Sequence, residues 1–134
     1  METKHAKLFL LFSALLCMAV LSCMGCADLL TSDQPKPVQL TISFLVTDSL
    51  TSSPVGGASV QLTIHSYGQK DRTVTLTTNA SGATAAVSFE SLSQTDRQTC
   101  DVTVTKDGYA TTNLSITYSN NDKLTPYRVK LPPT

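Results

Sequence analysis

The stretch that decides the fold runs from Pro54 to Phe89. It begins Pro54-Val-Gly-Gly-Ala-Ser-Val-Gln-Leu-Thr-Ile64, crosses a polar loop, and resumes as Val74-Thr-Leu-Thr-Thr-Asn-Ala-Ser-Gly-Ala-Thr-Ala-Ala-Val-Ser-Phe89. Apolar and polar residues alternate in three segments, which is the period of β-strands with one buried face. Asn79-Ala-Ser-Gly82 predicts a turn in which Gly82 is able to take a positive φ. The predicted buried rows are Ala58, Val60, Leu62 and Ile64, then Val74 and Leu76, then Ala85, Val87 and Phe89.

The same alternation continues on both sides of this stretch. A longer polar connection is predicted over 90–98. Asp107-Gly108 predicts a two-residue hairpin with a type I′ turn, because that turn needs a positive φ at both central positions. Seven short strands with no helical period predict an all-β, two-sheet antiparallel sandwich. The remaining predicted buried rows are Val38, Leu40, Ile42, Phe44 and Val46; Cys100, Val102 and Val104; Leu114, Ile116 and Tyr118; and Tyr127, Val129 and Leu131.

Composition excludes some function classes. The chain has 134 residues, a formal net charge of zero and only 15% charged residues. No basic surface for nucleic acid is therefore expected. Thr and Ser are abundant, which favours strands with a polar, uncharged outer face. Three of the four cysteines lie in or just after an apolar N-terminal run, so they do not indicate a disulfide framework.

The N-terminus indicates export followed by anchoring. Residues 1–7 are basic, residues 8–21 are almost continuously apolar, and a small residue precedes a cysteine in Val20-Leu21-Ser22-Cys23. This resembles a bacterial lipoprotein signal, with Cys23 as the lipidated residue and Cys26 as the alternative. The resemblance implies acyl chains such as palmitate, a membrane anchor and an extracytoplasmic place in the cell envelope.

The sequence thus divides into three parts. Residues 1–22 are the predicted lipoprotein signal peptide. Residues 23–37 are the lipidated cysteine and a polar tether that ends in Pro-Lys-Pro. Residues 38–134 are the predicted folded domain.

Three motifs of this domain occur in a family order. They are Pro54-Val-Gly-Gly-Ala-Ser-Val-Gln-Leu, Thr77-Thr-Asn-Ala-Ser-Gly82 and Val102-Thr-Val-Thr-Lys-Asp-Gly-Tyr109. From Val38 to Leu131 the chain resembles the carboxypeptidase regulatory-like domain. The resemblance implies a seven-stranded antiparallel Greek-key sandwich, transthyretin-like or bacterial Ig-like, without catalysis. Its turn-defining glycines are Gly57, Gly82 and Gly108, of which Gly57 is an insertion relative to the family's pattern.

The candidate residues for chemistry are few, and we expect no enzyme, no cofactor and no metal. His65 is predicted to be exposed and alone, without the partners that a catalytic triad or a metal site needs. Cys100 is predicted to be a buried, inert thiol. Asp101, Asp107 and Asp122 are predicted to be solvated turn carboxylates, because they lack the spacing of a calcium loop.

Tyr67 is the one aromatic residue predicted to be free for ligand contact. Tyr118 and Tyr127 are predicted to be core residues, and Tyr109 is predicted to anchor a turn. The chain has no Trp to extend an aromatic platform.

These features predict a membrane-anchored, non-catalytic binding or structural module with an envelope protein or glycan as partner. The alternative is a carbohydrate-binding accessory domain. Exposed aromatics lying in one plane around Tyr67 would favour the alternative. A flat, Thr-lined face with an open edge strand would favour the binding or structural module.

Overall fold

The structure, a computed structural model, describes residues 34–134. These residues fold into seven β-strands, and none of them forms a helix able to cross a membrane. The strands are β1 (Lys36–Asp48), β2 (Ser59–Ile64), β3 (Arg72–Thr77), β4 (Val87–Ser93), β5 (Arg97–Thr105), β6 (Thr112–Ser119) and β7 (Asp122–Leu131).

The strands form two sheets. One is three-stranded, in the order β4-β1-β7, and the other is four-stranded, in the order β3-β2-β5-β6. Four of the five strand pairs are antiparallel, but β1 and β7 run parallel. The predicted all-antiparallel pairing is therefore wrong at one pair. A turn at Asn120-Asn121 takes the chain from β6 in one sheet to β7 in the other, so β7 points the same way as β1.

The hydrophobic core lies between the sheets. The predicted rows on β1, β2 and β5 are buried throughout. Aromatic edge contacts fill the middle, with the rings of Phe89 and Tyr118 5.8 Å apart and those of Phe44 and Tyr127 6.0 Å apart. Val74 and Leu76 are only half-buried, because β3 is one of the two edge strands of the wider sheet.

The predicted bounds around β4 are wrong. Ala85 is exposed and precedes the strand, which begins at Val87. β4 continues to Ser93 and β5 begins at Arg97, so the long polar connection predicted over 90–98 shrinks to a short turn. The serines at 91 and 93 are buried where the sequence had suggested solvent.

The predicted type I′ turn is also wrong. Gly108 has a φ of 81°, but Asp107 does not share the positive φ. The Tyr109 amide donates to the Lys106 carbonyl at 3.1 Å. A positive φ at the second central position alone fits a type II turn. β5 ends at Thr105 and β6 begins several residues later, so this is a loop rather than a minimal hairpin.

The strand directions place every connection at one of two ends. The near end is the end where β1 begins, and the far end is the opposite one. The near end carries connections 65–71, 94–96 and 120–121, and the far end carries 49–58, 78–86, 106–111 and the tail after Leu131.

Candidate functional site

The first two family-like motifs meet at the far end through a buried threonine. The Thr78 hydroxyl donates to the Val55 carbonyl at 2.7 Å and accepts from the Ala58 amide at 2.8 Å. Thr78 is only 4% exposed, so no water replaces these partners. The first of the two motifs thereby fixes the second, and the bonds are structural in character.

The turn after Thr78 is held by its own side chain. The Asn79 carboxamide oxygen accepts from the amides of Ser81 and Ala83, at 3.0 and 3.1 Å. Gly82 has a φ of 76°, and its carbonyl accepts from the Val46 amide at 2.8 Å. This turn therefore docks on β1, and a side chain at Gly82 would collide with the β1 backbone.

The third motif packs beside the first. The Lys106 amine lies 3.5 Å from the Gly57 carbonyl, and Gly57 has a φ of 69°. The Tyr109 hydroxyl donates to Asp48 at 3.2 Å, and Tyr109 is half-buried, which agrees with its predicted role as a turn anchor. A shallow cavity of about 500 Å³ opens beside these loops; its walls include Gly57, Lys106 and Gly108. Its walls carry one positively charged side chain, Lys106, and no group of reactive side chains that point to a common centre.

The near end holds the one titratable cluster that merits a functional reading. His65 lies between two carboxylates, with Nδ1 3.0 Å from Asp71 and Nε2 2.8 Å from Asp101. Hydrogen bonds that the imidazole donates to Asp101, the larger cause, and to Asp71 raise the pKa of His65 above its usual 6.5, while partial desolvation opposes them. The same contact lowers the pKa of Asp101. The prediction of a partnerless His65 is therefore wrong.

This cluster limits what His65 can do chemically. Both ring nitrogens are occupied by carboxylates, so the imidazole has no free nitrogen to accept a proton from a substrate. No cluster of His, Cys, Asp and Glu within residues 34–134 has the geometry to hold a metal ion. The arrangement instead favours a charged imidazolium that links the loop before β3 to the face of β5.

Two of the three aspartates depart from the prediction of solvated turn carboxylates, and Asp107 agrees with it. Asp101 lies within β5 and not in a turn. Asp122 accepts from the Ser119 amide at 2.8 Å and from its hydroxyl at 3.1 Å, and thereby closes the crossing between the sheets. Asp107 is exposed in its loop.

Tyr67 lies beside the same cluster. It is 50% exposed and is the only exposed aromatic side chain between residues 34 and 134. A cavity of about 340 Å³ lies next to it, with His65, Arg97 and Gln98 among its walls. The Gln98 side-chain amide donates to the His65 backbone carbonyl at 2.7 Å and so fixes this wall. The aromatic platform that would favour carbohydrate binding has a single member here.

The outer side of the four-stranded sheet is a polar surface. We call it the hydroxyl face. Its central row runs across the four strands as Thr75, Gln61, Thr103 and Asn113. The adjacent rows are Thr73, Thr63, Asp101 and Ser115 on one side, and Thr77, Ser59 and Thr105 on the other.

The hydroxyl face is nearly free of charge. Asp101 is the only charged residue in these three rows, and His65 is bound to it. The Thr103 hydroxyl donates to the Asn113 side chain at 2.8 Å, so neighbouring strands are linked along the central row. The face offers a regular array of donors and acceptors on a rigid sheet.

Cys100 and the N-terminal cysteines complete the candidate residues. The Cys100 thiol is buried, and desolvation raises its pKa to about 11. A thiol of that pKa carries almost no thiolate near neutrality and is a poor nucleophile. Cys23 and Cys26 lie outside the described residues.

Comparisons with known proteins add little to this geometry. No family model matches the chain, and no curated protein sequence matches it. A crystal structure of (S)-allantoin synthase is similar at 15% identity and a TM-score of 0.49, covering 71% of this chain and 40% of that one. A 9R-lipoxygenase from Cyanothece PCC8801 is similar at 13% identity and a TM-score of 0.39, covering 75% of this chain and 17% of that one. The chain spans less than half of either protein, and likeness at this level carries no argument about activity.

Sequence reasoning missed the partners of His65. His65 and Asp71 lie at the two ends of the connection between β2 and β3, and Asp101 lies on β5. Thr63 pairs with Asp101, which makes His65 a diagonal neighbour of that carboxylate on the same face. The signal that could have found the contact is the β2–β5 register, and the sequence does not reveal which strands pair.

Proposed function

We propose that this chain is a lipid-anchored, extracytoplasmic module of a bacterial cell envelope that binds a partner through its hydroxyl face and carries out no catalysis. The observation that carries the proposal is the uncharged array around Thr75, Gln61, Thr103 and Asn113. On such a surface, attraction between charges does not supply most of the binding energy. The surface suits a partner that forms many hydrogen bonds with it.

The lipid anchor is supported by the sequence before the described domain. A basic start, an apolar run and Ser22-Cys23 are the pattern that lipoprotein processing uses. Cys23 is the proposed acylated residue, and Cys26 is the alternative. The tether joins the folded domain at the start of β1, at its near end.

The proposed fold family is the carboxypeptidase regulatory-like domain, with a transthyretin-like Greek-key sandwich. Its support is the meeting of the three motifs at the far end, where Thr78 ties the first to the second and Lys106 packs the third against Gly57. In this proposal the loop residues of the motifs specify loop packing, and their strand residues, among them Gln61 and Thr103, contribute to the hydroxyl face.

Lipidation is tested by mass spectrometry on the full chain expressed in a bacterial host that processes lipoproteins. We expect a mature N-terminus at Cys23 that carries acyl chains. Cys23→Ser should abolish the modification, while Cys26→Ser should leave it intact. An unmodified N-terminus at or beyond Ala27 would refute the anchor.

Partner binding is tested with a photoreactive amino acid placed on each sheet in the full chain. Thr103 probes the hydroxyl face, and exposed Ser88 probes the outer side of the three-stranded sheet as the matched control. We expect crosslinks to a discrete envelope component from Thr103 and not from Ser88. Crosslinking from Ser88 alone would place the binding surface on the three-stranded sheet and contradict the proposal.

The alternative function, carbohydrate binding, has one specific observation in its favour. Tyr67 is exposed beside a cavity of about 340 Å³ that also presents Arg97 and Gln98. An aromatic face with planar hydrogen-bonding groups is suited to a sugar ring. Calorimetric titration with envelope polysaccharide should then detect binding that Tyr67→Ala removes. Binding that survives Tyr67→Ala would exclude this cavity as the sugar site.

A further inference from the structure

The outer edge of β6 is an unpaired strand edge. β6 ends the four-stranded sheet and pairs on one side only, with β5. From Thr112 to Tyr118 its backbone forms no hydrogen bond beyond that ladder within residues 34–134. The free amides and carbonyls of such an edge are a template for another strand.

Both ends of this edge are closed by the chain itself. At the far end, the Ala110 amide donates to Pro132 at 2.8 Å and the Thr134 amide donates to Gly108 at 3.0 Å. At the near end, Asp122 accepts from the Ser119 amide at 2.8 Å. The open stretch between these closures has the length of an ordinary strand.

The other edges carry the devices that discourage strand addition. β7 contains Pro126 and three basic residues, at 123, 128 and 130. β4 is covered at Leu92, whose amide donates to the Ser66 hydroxyl and whose carbonyl accepts from the Tyr67 amide, both at 2.8 Å. β3 has only six residues and begins with Arg72. β6 has eight residues and no charge, proline or glycine among them.

We propose that β6 pairs antiparallel with β6 of a second copy of this chain, joining two four-stranded sheets into one continuous sheet. Because side chains alternate between faces, the twofold axis must pass through a residue, and we place it at Ile116. Leu114 of each copy then lies opposite Tyr118 of the other, and Ser115 lies opposite Thr117. Apolar residues meet on the inner side and hydroxyls on the outer side.

The neutrality of β6 is what favours a second copy as the occupant. A twofold pairing sets the strand against itself, so a charge near the axis at Ile116 would lie close to the same charge on the second copy. β6 has none to repel. Leu114 is half-buried in one copy, and the pairing would place a second strand beside it.

The inference goes beyond the proposed function, because it needs neither the lipid nor an envelope partner. A single strand pair forms a small interface, so the association in solution is weak. Any anchoring on a membrane would raise the effective concentration of the copies.

The experiment uses paired cysteines in the full chain, treated with a mild oxidant. In Ser115→Cys/Thr117→Cys, each new cysteine lies opposite one on the second copy, at the separation that a disulfide accepts. The matched control is Thr73→Cys/Thr75→Cys, which has the same spacing and face on β3. We expect a covalent dimer from the β6 variant and almost none from the β3 variant. Equal dimer from both, or none from β6, would overturn the proposal.

A second measurement does not depend on disulfides. Sedimentation of the full chain in detergent at high protein concentration should show a dimer. Ser115→Lys/Thr117→Lys should raise the dissociation constant of this dimer at least tenfold. Thr73→Lys/Thr75→Lys should leave the dimer intact. A wild-type chain that stays monomeric near 1 mM overturns the proposal. A Thr103 photocrosslink to an envelope component would be unaffected by that outcome, so the two ideas fail separately.

Discussion

The hydroxyl oxygens of Ser91 and Tyr118 lie 2.9 Å apart in a buried contact between the two sheets. Ser91 is on β4 of the three-stranded sheet, and Tyr118 is on β6 of the four-stranded sheet. The two residues are 2% and 1% exposed. Each hydroxyl therefore takes the place of water as the hydrogen-bond partner of the other. The contact also fixes the position of one sheet on the other.

We expect Ser91→Ala and Tyr118→Phe each to lower the free energy of unfolding by about 1–3 kcal/mol, because each leaves one buried hydroxyl without a partner. The double variant should lose less than the sum of the two, since it removes both groups. Urea unfolding of the four proteins completes the cycle. Additive losses would mean that the two hydroxyls do not interact.

Thr78 gives a second test of a buried hydroxyl. Thr78→Val preserves shape but removes the bonds to Val55 and Ala58, so the free energy of unfolding should fall by about 2–3 kcal/mol. Thr78→Ser keeps the hydroxyl and should cost about 1 kcal/mol through the lost methyl group. The adjacent, exposed Thr77→Val is the control and should be nearly neutral. If Thr78→Val were as mild as Thr77→Val, the tie between the motifs would be unimportant.

Gly82 and Gly108 should respond differently to the same substitution. Both have a positive φ, 76° and 81°, which costs a residue with a Cβ about 1–2 kcal/mol. A Cβ at Gly108 meets nothing within 4 Å, whereas one at Gly82 collides with the Val46 carbonyl. Gly82→Ala should therefore lower the free energy of unfolding by about 3 kcal/mol or more. Gly108→Ala should lower it only by the cost of the positive φ, about 1–2 kcal/mol. Chemical denaturation compares them, and equal losses would contradict this account.

The sequence predicted the buried rows of β1, β2 and β5 correctly, because these rows depend on alternation alone. Cys100, Val102 and Val104 are buried as expected, and so are the rows of β1 and β2. The local pattern could not predict which strands pair. The parallel β1–β7 pair depends on where the chain re-enters a sheet after Asn121, and no single segment encodes that choice.

The failures at β4 and His65 share a physical cause. Ser91 is buried because Tyr118 on β6 satisfies its hydroxyl, so its polarity suggested solvent where there is core. His65 is paired because β5 brings Asp101 to its side. Whether such a polar residue is buried or paired depends on contacts with residues distant in sequence. The alternation of apolar residues, in contrast, can be recognised within a single strand.

The pairing of His65 predicts how stability depends on pH. Its pKa is raised above 6.5 in the folded state, so its contribution is fully present below pH 6.5 and is lost as the pH rises through the folded value. The pKa of Asp101 is lowered from 3.8, so its share is present above pH 3.8 and is lost as the pH falls through the folded value. The difference in stability between wild type and His65→Gln should therefore be larger at pH 5 than at pH 9.

Proton NMR of the imidazole in the full chain measures the pKa directly, and His65→Gln identifies its signal against that of His5. Asp101→Asn should lower the midpoint more than Asp71→Asn, because the Asp101 hydrogen bond is the larger cause of the raised pKa. Asp107→Asn is the control, since Asp107 lies in a far-end loop and His65 lies at the near end. A His65 midpoint at or below 6.5 in the wild type, or one that Asp101→Asn leaves in place, would mean that the carboxylates do not hold the imidazolium.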